Sequence, residues 1–186
     1  MPWIVLDRDG VINQDSDDYI KNAEEWLPID GSIEAIAQLS QANYHVVIAT
    51  NQSGLGRGLF SVADLDAMHQ KLFDLVEAKG GKVEGIFYCP HSPNEQCDCR
   101  KPKTALLDQI EEEFSITLKG CPFVGDSLKD LQAGKQKSCV PILVKTGKGE
   151  TTLAKIADDA AFSDVAVYPD LATYTQFLLN HHSPIE

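Results

Sequence analysis

Three of the five cysteines and one of the five histidines in this chain fall within one short stretch, "CPHSPNEQCDC". The four residues are Cys89, His91, Cys97 and Cys99. Three thiolates and one imidazole form a donor set that suits tetrahedral Zn²⁺, and they leave no coordination position open for a reactant. We therefore predict a structural zinc that orders a short polar loop and holds the next two residues, Arg100 and Lys101, in place.

A second group of chemically capable side chains follows short apolar or β-branched runs along the chain. In chain order these residues are Asp7, Asp9, Thr50, Lys101, Asp126 and Asp130. An aspartate at a strand end is often only a turn or capping residue. Ligands of open α/β sheets bind beyond the carboxyl ends of the strands, however, so this combination predicts one shared site.

Alternating strands and helices must position these residues. The pattern predicts strands at 3–6, 45–50, 85–89, 121–126 and 140–144, and a further strand near 165–168. Helical spacing between them predicts one helix that starts at Asp30 or Ser32 and another with a Ser61–Asp64 capping box and a stop at Gly80. This order predicts a single α/β domain over residues 1–186, a doubly wound, Rossmann-like parallel sheet.

Composition limits the classes of partner. The chain has 186 residues, 43% of them hydrophobic, and a formal net charge of −12 at pH 7, which disfavours binding to nucleic acid. The N-terminus lacks the features of a signal peptide, and no apolar run is long enough to predict a membrane helix. The chain has five cysteines, an odd number, and three of them lie in one loop, which favours a reduced protein over one with a disulfide framework. We expect a cytoplasmic monomer that acts on a small molecule.

Four motifs occur in a diagnostic order: "DRDG", "ATNQSG", "RKP" and "GDSLKD". Together they resemble the haloacid-dehalogenase superfamily of phosphatases over about residues 3–146. Within that superfamily, "LDRDGVIN", "TNQSGLGRG" and "CPHSPNEQCDCRKP" resemble the D,D-heptose 1,7-bisphosphate 7-phosphatases. The histidinol-phosphate phosphatases share the "CDCRKP" loop, but an arginine after "TNQSG", here Arg57, is more typical of the heptose branch.

The resemblance implies Mg²⁺-dependent hydrolysis of a phosphate monoester through an aspartyl-phosphate. It assigns Asp7 as the nucleophile and Asp9 as the general acid and base. The Mg²⁺ ligands would be the Asp7 carboxylate, the Asp9 backbone carbonyl and the Asp126 carboxylate. Asp130 is either a more distant ligand or a support for the site. Thr50 and Lys101 would neutralise the transferring phosphoryl oxygens.

The segment 13–26 lies where this superfamily places its first cap insertion and is too short for a cap domain, so neighbouring loops must select the substrate. The expected substrate-binding residues are Asp15, Asp18, Tyr19, Asn51, Gln52, Ser53, Arg57 and Arg100. The implied reaction is removal of the 7-phosphate of D-glycero-D-manno-heptose 1,7-bisphosphate, in making activated heptose for lipopolysaccharide core or S-layer. One alternative is a histidinol-phosphate phosphatase. Another, of a different class, is a zinc-ribbon-like binding module without catalysis.

Overall fold

The structure, a computed structural model, describes residues 2–181, so Met1 and residues 182–186 of the predicted domain lie outside it. Six strands form one sheet in the order β3-β2-β1-β4-β5-β6, and all neighbouring strands are parallel. The strands are β1 (Trp3–Leu6), β2 (His45–Asn51), β3 (Gly85–Cys89), β4 (Pro122–Gly125), β5 (Val140–Val144) and β6 (Ala166–Tyr168). The predicted fold class is therefore confirmed, and the predicted strand bounds differ by at most one residue.

Seven α-helices and one 3₁₀ turn accompany these strands in the described residues, and α7 follows the last strand. They are α1 (Ser32–Gln41), α2 (Ser53–Gly56), α3 (Val62–Ala78), α4 (Ala105–Phe114), α5 (Leu128–Gln136), α6 (Gly149–Ile156) and α7 (Leu171–His181), with the 3₁₀ turn at Ala160–Phe162. The Ser61–Asp64 capping box is present at the start of α3, as predicted, and Gly80 follows the end of α3 with a positive φ of 74°.

The predicted start of α1 is wrong in detail. Neither Asp30 nor Ser32 is its N-cap: Gly31 occupies that position at φ 79°, and no side chain caps the helix. Ser32 instead lies in the first turn and donates from its Oγ to the carbonyl of Ile12, at 2.6 Å. This long-range bond gives a buried hydroxyl a partner, which outweighs the local capping preference.

Alternating side chains of the strands build a core on each face of the sheet. Ile4 and Leu6 of β1 pack into the cluster that includes apolar residues of α1, α3 and α7, whereas Val5 packs into the cluster formed with α4 and α5. Such near-continuous apolar strands are typical of parallel sheets covered on both faces. No helix of the described residues is long and apolar enough to cross a membrane.

The direction of winding reverses between β1 and β4, which lie side by side although they are far apart in sequence. The loops after these two strands therefore diverge to opposite faces and leave a crevice at their carboxyl ends. Asp7 and Asp126 are the residues that directly follow β1 and β4. The topology thus brings the first and last of the four sequence motifs to one point.

Candidate active site

Three buried carboxylates meet in the crevice beyond β1 and β4. Asp7, Asp126 and Asp130 each offer a carboxylate oxygen, and these oxygens lie within 4.8 Å of one another. The Asp7 N–H donates to the carbonyl of Val124 at 2.9 Å, so the β1–β4 pairing extends by one bond and fixes where the Asp7 side chain begins. The predicted convergence of the strand-end aspartates is therefore observed for these three residues.

Lys101 supplies the positive charge at the centre of this cluster. Its side chain is almost fully buried, and its Nζ lies 2.9 Å from Asp7 Oδ1 and 2.6 Å from Asp130 Oδ1. The same ammonium donates to the carbonyl of Ala49 at 2.8 Å. Burial by itself lowers the pKa of Lys101, but the two carboxylates outweigh it and raise that pKa above its ordinary value. Lys101 is thus a fixed cation.

One lysine does not balance three buried carboxylates. Burial, reinforced by Asp130, raises the pKa of Asp7 to about 7, although Lys101 opposes the shift. Burial and the neighbouring Asp7 raise the pKa of Asp126 to about 8. Shifts of this kind indicate a site that favours an added cation or protons. An all-carboxylate set of hard oxygen donors fits Mg²⁺, and Asp7, Asp126 and Asp130 could hold such an ion.

The loop after β5 and the helix α6 that follows it hold Asp126, and sequence reasoning missed both. The Lys148 N–H donates to Asp126 Oδ2 at 2.7 Å, and the Thr152 hydroxyl donates to the Asp126 carbonyl at 2.8 Å. Gly10 and Gly147, both at positive φ, pack so closely on this carboxylate that a Cβ on either would collide with it. The "KTGKG" stretch directly after a predicted strand was the signal available, because strand-end loops build such sites.

The Asp9 carboxylate is not part of the three-carboxylate cluster and takes part in a second hydrogen-bond network. Its two oxygens accept from the guanidinium of Arg8 at 2.9–3.2 Å, from Asn13 Nδ2 at 2.9 Å and from Gln52 Nε2 at 2.8 Å. Burial alone would raise the pKa of Asp9, but Arg8 and these hydrogen bonds outweigh it, so the pKa is lowered. Gln52 also donates to Thr50 Oγ1 at 2.9 Å.

Two of the predicted substrate-binding residues therefore contact protein groups. Gln52 bridges Asp9 and Thr50, and Asn51 bonds both backbone groups of Lys101, accepting from its N–H at 2.9 Å and donating to its carbonyl at 3.1 Å. These contacts tie the end of β2 to the third motif. They give Asn51 and Gln52 a part in placing the charged residues of the site.

A cavity of about 690 Å³ opens above these residues. The expected residues that line it are Asp7, Asp9, Asp15, Tyr19, Thr50, Asn51, Gln52, Ser53, Arg100, Lys101, Asp126 and Asp130. Asp18 and Arg57 do not line it; the Arg57 guanidinium lies over the Tyr19 ring, 6.0 Å from its centre. Sequence reasoning missed three lysines in the lining: Lys129, Lys148 and Lys155.

The loop after β3 brings the cysteine cluster together as expected. The ligand atoms of Cys89, His91, Cys97 and Cys99 all lie within 4.8 Å of one another. The His91 Nδ1 lies 3.1 Å from Cys99 Sγ, and Cys89 Sγ lies 3.6 Å from both Cys97 Sγ and His91 Nδ1. This arrangement can hold a metal ion, and its three thiolates and one imidazole fit the donor chemistry of zinc.

Comparison with known proteins is consistent with this site. The sequence model of the family described as polynucleotide kinase 3 phosphatase matches residues 4–166. A D-glycero-β-D-manno-heptose-1,7-bisphosphate 7-phosphatase of Pseudomonas aeruginosa is 53% identical over 176 residues, which cover 95% of this chain and 97% of that protein. The similarity thus extends over almost the whole length of both chains.

Two solved structures carry the same fold. The D,D-heptose 1,7-bisphosphate phosphatase from B. bronchiseptica, complexed with magnesium and phosphate, superposes with a TM-score of 0.93 at 47% identity, covering 98% of this chain and 100% of that one. A putative haloacid-dehalogenase-like phosphatase from Mesorhizobium loti superposes with a TM-score of 0.71 at 32% identity, covering 77% and 72%.

Proposed function

The chain belongs to the family of D-glycero-β-D-manno-heptose-1,7-bisphosphate 7-phosphatases within the haloacid-dehalogenase superfamily, and from this we propose that it removes the 7-phosphate of that bisphosphate by Mg²⁺-dependent hydrolysis. The observation that carries the proposal is the placement of a buried ammonium, Lys101 Nζ, 2.9 Å from a carboxylate oxygen of Asp7 at the floor of an open cavity. A nucleophile and a charge-neutralising group thus lie side by side where a phosphoryl group can enter.

In the first step, Asp7 attacks phosphorus and the bond from phosphorus to the sugar oxygen breaks. Asp9, whose pKa is lowered in the free protein, takes up a proton as the anionic phosphate enters, because a neighbouring negative charge raises the pKa of a carboxyl group. The leaving alkoxide takes this proton from Asp9, and Lys101 and Thr50 stabilise the negative charge on the phosphoryl oxygens. Asp7, Asp126 and the backbone carbonyl of Asp9 would hold a Mg²⁺, which would supply the charge neutralisation that an anionic nucleophile needs to approach an anionic ester.

In the second step, water attacks the phosphorus of the aspartyl-phosphate. Asp9, now a carboxylate, takes the proton from this water, and the bond between phosphorus and the Asp7 oxygen breaks. Inorganic phosphate leaves, Asp7 is again a carboxylate and Asp9 is again protonated, so the cycle closes. Using one residue as acid and then as base requires Asp9 to keep its place through both steps.

Substrate selection falls to the loops around the cavity. Arg100, Lys129 and Lys148 place positive charge along its wall in a chain whose net charge is −12. This charge suits a substrate that carries a second anionic group away from the reacting phosphate. Asp15 stands beside this charge, with its carboxylate 3.3 Å from Lys148 Nζ, and Asp15 and Tyr19 both line the cavity, where they can hydrogen-bond sugar hydroxyls.

The zinc cluster serves the same site without taking part in the reaction. Cys99 is the ligand directly before Arg100 and Lys101, so a bound Zn²⁺ would fix the start of the segment that carries both cations. We also propose that the enzyme acts in the cytoplasm, in the supply of activated heptose for lipopolysaccharide core or S-layer; the heptose bisphosphate named for its relatives supports the link to activated heptose.

A substrate panel tests the proposal. The ratio kcat/KM should be highest for D-glycero-β-D-manno-heptose 1,7-bisphosphate, lower for fructose 1,6-bisphosphate and lowest for histidinol phosphate. The Asp7→Asn variant, purified in the same way, controls for contaminating phosphatases. A higher kcat/KM for histidinol phosphate would contradict the substrate assignment, and release of phosphate from none of the three would contradict the proposed reaction.

A further inference from the structure

Arg8 is a buried cation that the proposed reaction steps do not use. It stands between Asp7 and Asp9 in sequence, yet only 1% of its side chain is exposed. Its Nε and Nη2 donate to Asp9, at 2.9–3.2 Å, and Nη2 also donates to Gln52 Oε1 at 3.1 Å. A buried guanidinium requires partners on every edge, because an unpaired N–H in the interior carries the full cost of lost hydration.

His69 occupies the remaining edge of Arg8. Its Nε2 lies 3.2 Å from Arg8 Nη1, across 61 positions of sequence. A guanidinium can only donate, so Nε2 accepts and must be unprotonated. Burial, and then the charge of Arg8, lower the pKa of His69 to about 3, so the ring stays neutral. His69 is therefore a fixed acceptor and does not transfer protons.

The position of His69 is well determined by packing. It lies on α3, is 7% exposed, and its ring is tilted by 59° against the ring of Tyr88 with 5.8 Å between centres. Arg8 is thus held at one end by His69 and at the other end by Asp9. Because the guanidinium is planar and rigid, a shift at Nη1 rotates the edge that contacts the carboxylate.

The orientation of Asp9 decides whether its proton reaches the leaving group. The Asp9 side chain keeps 24% exposure and lines the cavity, while its other contacts, to Asn13 and Gln52, lie within the protein. Small errors in the placement of an acid cost much of its contribution, which for general acid catalysis is about 10²–10⁴-fold.

We propose that His69 is a positioning residue for this reaction, which holds Arg8 and, through Arg8, sets the Asp9 carboxyl at the angle needed for proton transfer to the leaving sugar oxygen. The inference rests on the proposed function, in which Asp9 is the acid. It predicts that removing the acceptor at position 69 weakens proton transfer selectively, leaving attack by Asp7 intact.

Two substitutions separate this role from packing. His69→Phe keeps a ring against Tyr88 but has no acceptor for Arg8, whereas His69→Gln keeps an acceptor oxygen at a similar reach. The readout is kcat/KM on the heptose bisphosphate, whose alkoxide leaving group needs a proton, and on p-nitrophenyl phosphate, whose leaving group does not. Val76→Ala, a core truncation further along α3, is the control for loss of stability alone.

We expect His69→Phe to lower kcat/KM on the bisphosphate by ~10- to 100-fold, part of the acid's contribution, with little change on the nitrophenyl ester. His69→Gln should restore most of the loss, and Val76→Ala should leave the ratio of the two activities unchanged. If His69→Phe does not fold, His69→Asn, which is too short to reach Arg8, should give the same selective loss.

Equal losses on both esters, or a loss that His69→Gln does not restore although it unfolds at the wild-type temperature, would overturn the inference and reduce His69 to a packing residue. Wild-type protein that hydrolyses neither ester would overturn the proposed function, and the inference with it.

Discussion

Asp130 is the residue whose role the sequence left open, and its contacts lead to a specific prediction. Its Oδ2 accepts from the Ser127 N–H at 3.0 Å and the Ser127 hydroxyl at 2.7 Å, which caps α5. Its Oδ1 lies 2.6 Å from Lys101 Nζ. We therefore expect Asp130 to hold Lys101 in place, and the Asp130→Asn variant tests this.

The size of the effect follows from these contacts. The replacement amide has one acceptor oxygen, so it can accept from Ser127 or from Lys101 but cannot hold both. A hydrogen bond to a charged group contributes about 1.5–3 kcal/mol, and about 1.4 kcal/mol corresponds to a tenfold change in rate. If the contact between residue 130 and the Lys101 ammonium is lost in the transition state, kcat falls by ~10- to 100-fold.

The assay measures kcat, the half-saturating Mg²⁺ concentration and the unfolding temperature. We expect kcat to fall, the Mg²⁺ requirement to change little and the protein to remain folded. Asp64→Asn is a matched control, because Asp64 makes the same pair of contacts to Ser61 at the start of α3, and neither residue lines the cavity. It should lower stability slightly and leave kcat unchanged.

Two results would refute this reasoning. A folded Asp130→Asn variant with wild-type kcat would mean that Asp130 does not position Lys101. An unchanged kcat at saturating metal, combined with a strongly raised half-saturating Mg²⁺ concentration, would instead make Asp130 a metal ligand.

Three further predictions concern the metals and the nucleophile. Asp7→Asn should abolish phosphate release without loss of fold or zinc, and appreciable residual turnover in a clean preparation would exclude Asp7 as the nucleophile. The pKa of Asp7 is raised to about 7 and that of Asp126 to about 8, so the folded protein without metal binds protons at these two carboxyl groups at pH 6. The stability that this protonation contributes to the folded state is lost as pH rises through the two pKa values. Since Mg²⁺ binds the ionised carboxylates, the rise in melting temperature that it causes should be larger at pH 9 than at pH 6; scanning calorimetry that gives equal shifts would contradict this. Cys99→Ser should lose zinc and kcat together, whereas Lys101→Ala should lose kcat and keep zinc by metal analysis; zinc loss with full kcat would show that the loop does not place Lys101.

Sequence reasoning predicted which polar residues follow the strands, because the strands of a parallel sheet are short apolar runs that can be recognised in the sequence. The motifs after β1, β3 and β4 identified Asp7, Lys101 and Asp126, which the structure brings together. The cysteine cluster could be predicted equally well, since its candidate ligands are close in sequence and meet within one loop.

The hydrogen-bond partners of individual polar side chains could not be predicted from the sequence in the same way. Gln52 and Asn51 were predicted as substrate contacts and line the cavity, but the sequence did not predict that Gln52 bonds Asp9 and that Asn51 bonds the backbone of Lys101. These pairings span about 40 to 50 positions and depend on how neighbouring strands and loops lie. Lys148 was missed for a similar reason, because the contact that matters is its backbone N–H to Asp126.

Phosphorus NMR of the reaction with D-glycero-β-D-manno-heptose 1,7-bisphosphate tests the central claim most directly. Starting from metal-free enzyme, addition of Mg²⁺ should convert the 7-phosphate signal into inorganic phosphate while the 1-phosphate signal persists in the product. Loss of the 1-phosphate signal first, or an unchanged spectrum with Mg²⁺ present, would contradict the assignment of this chain as a heptose bisphosphate 7-phosphatase.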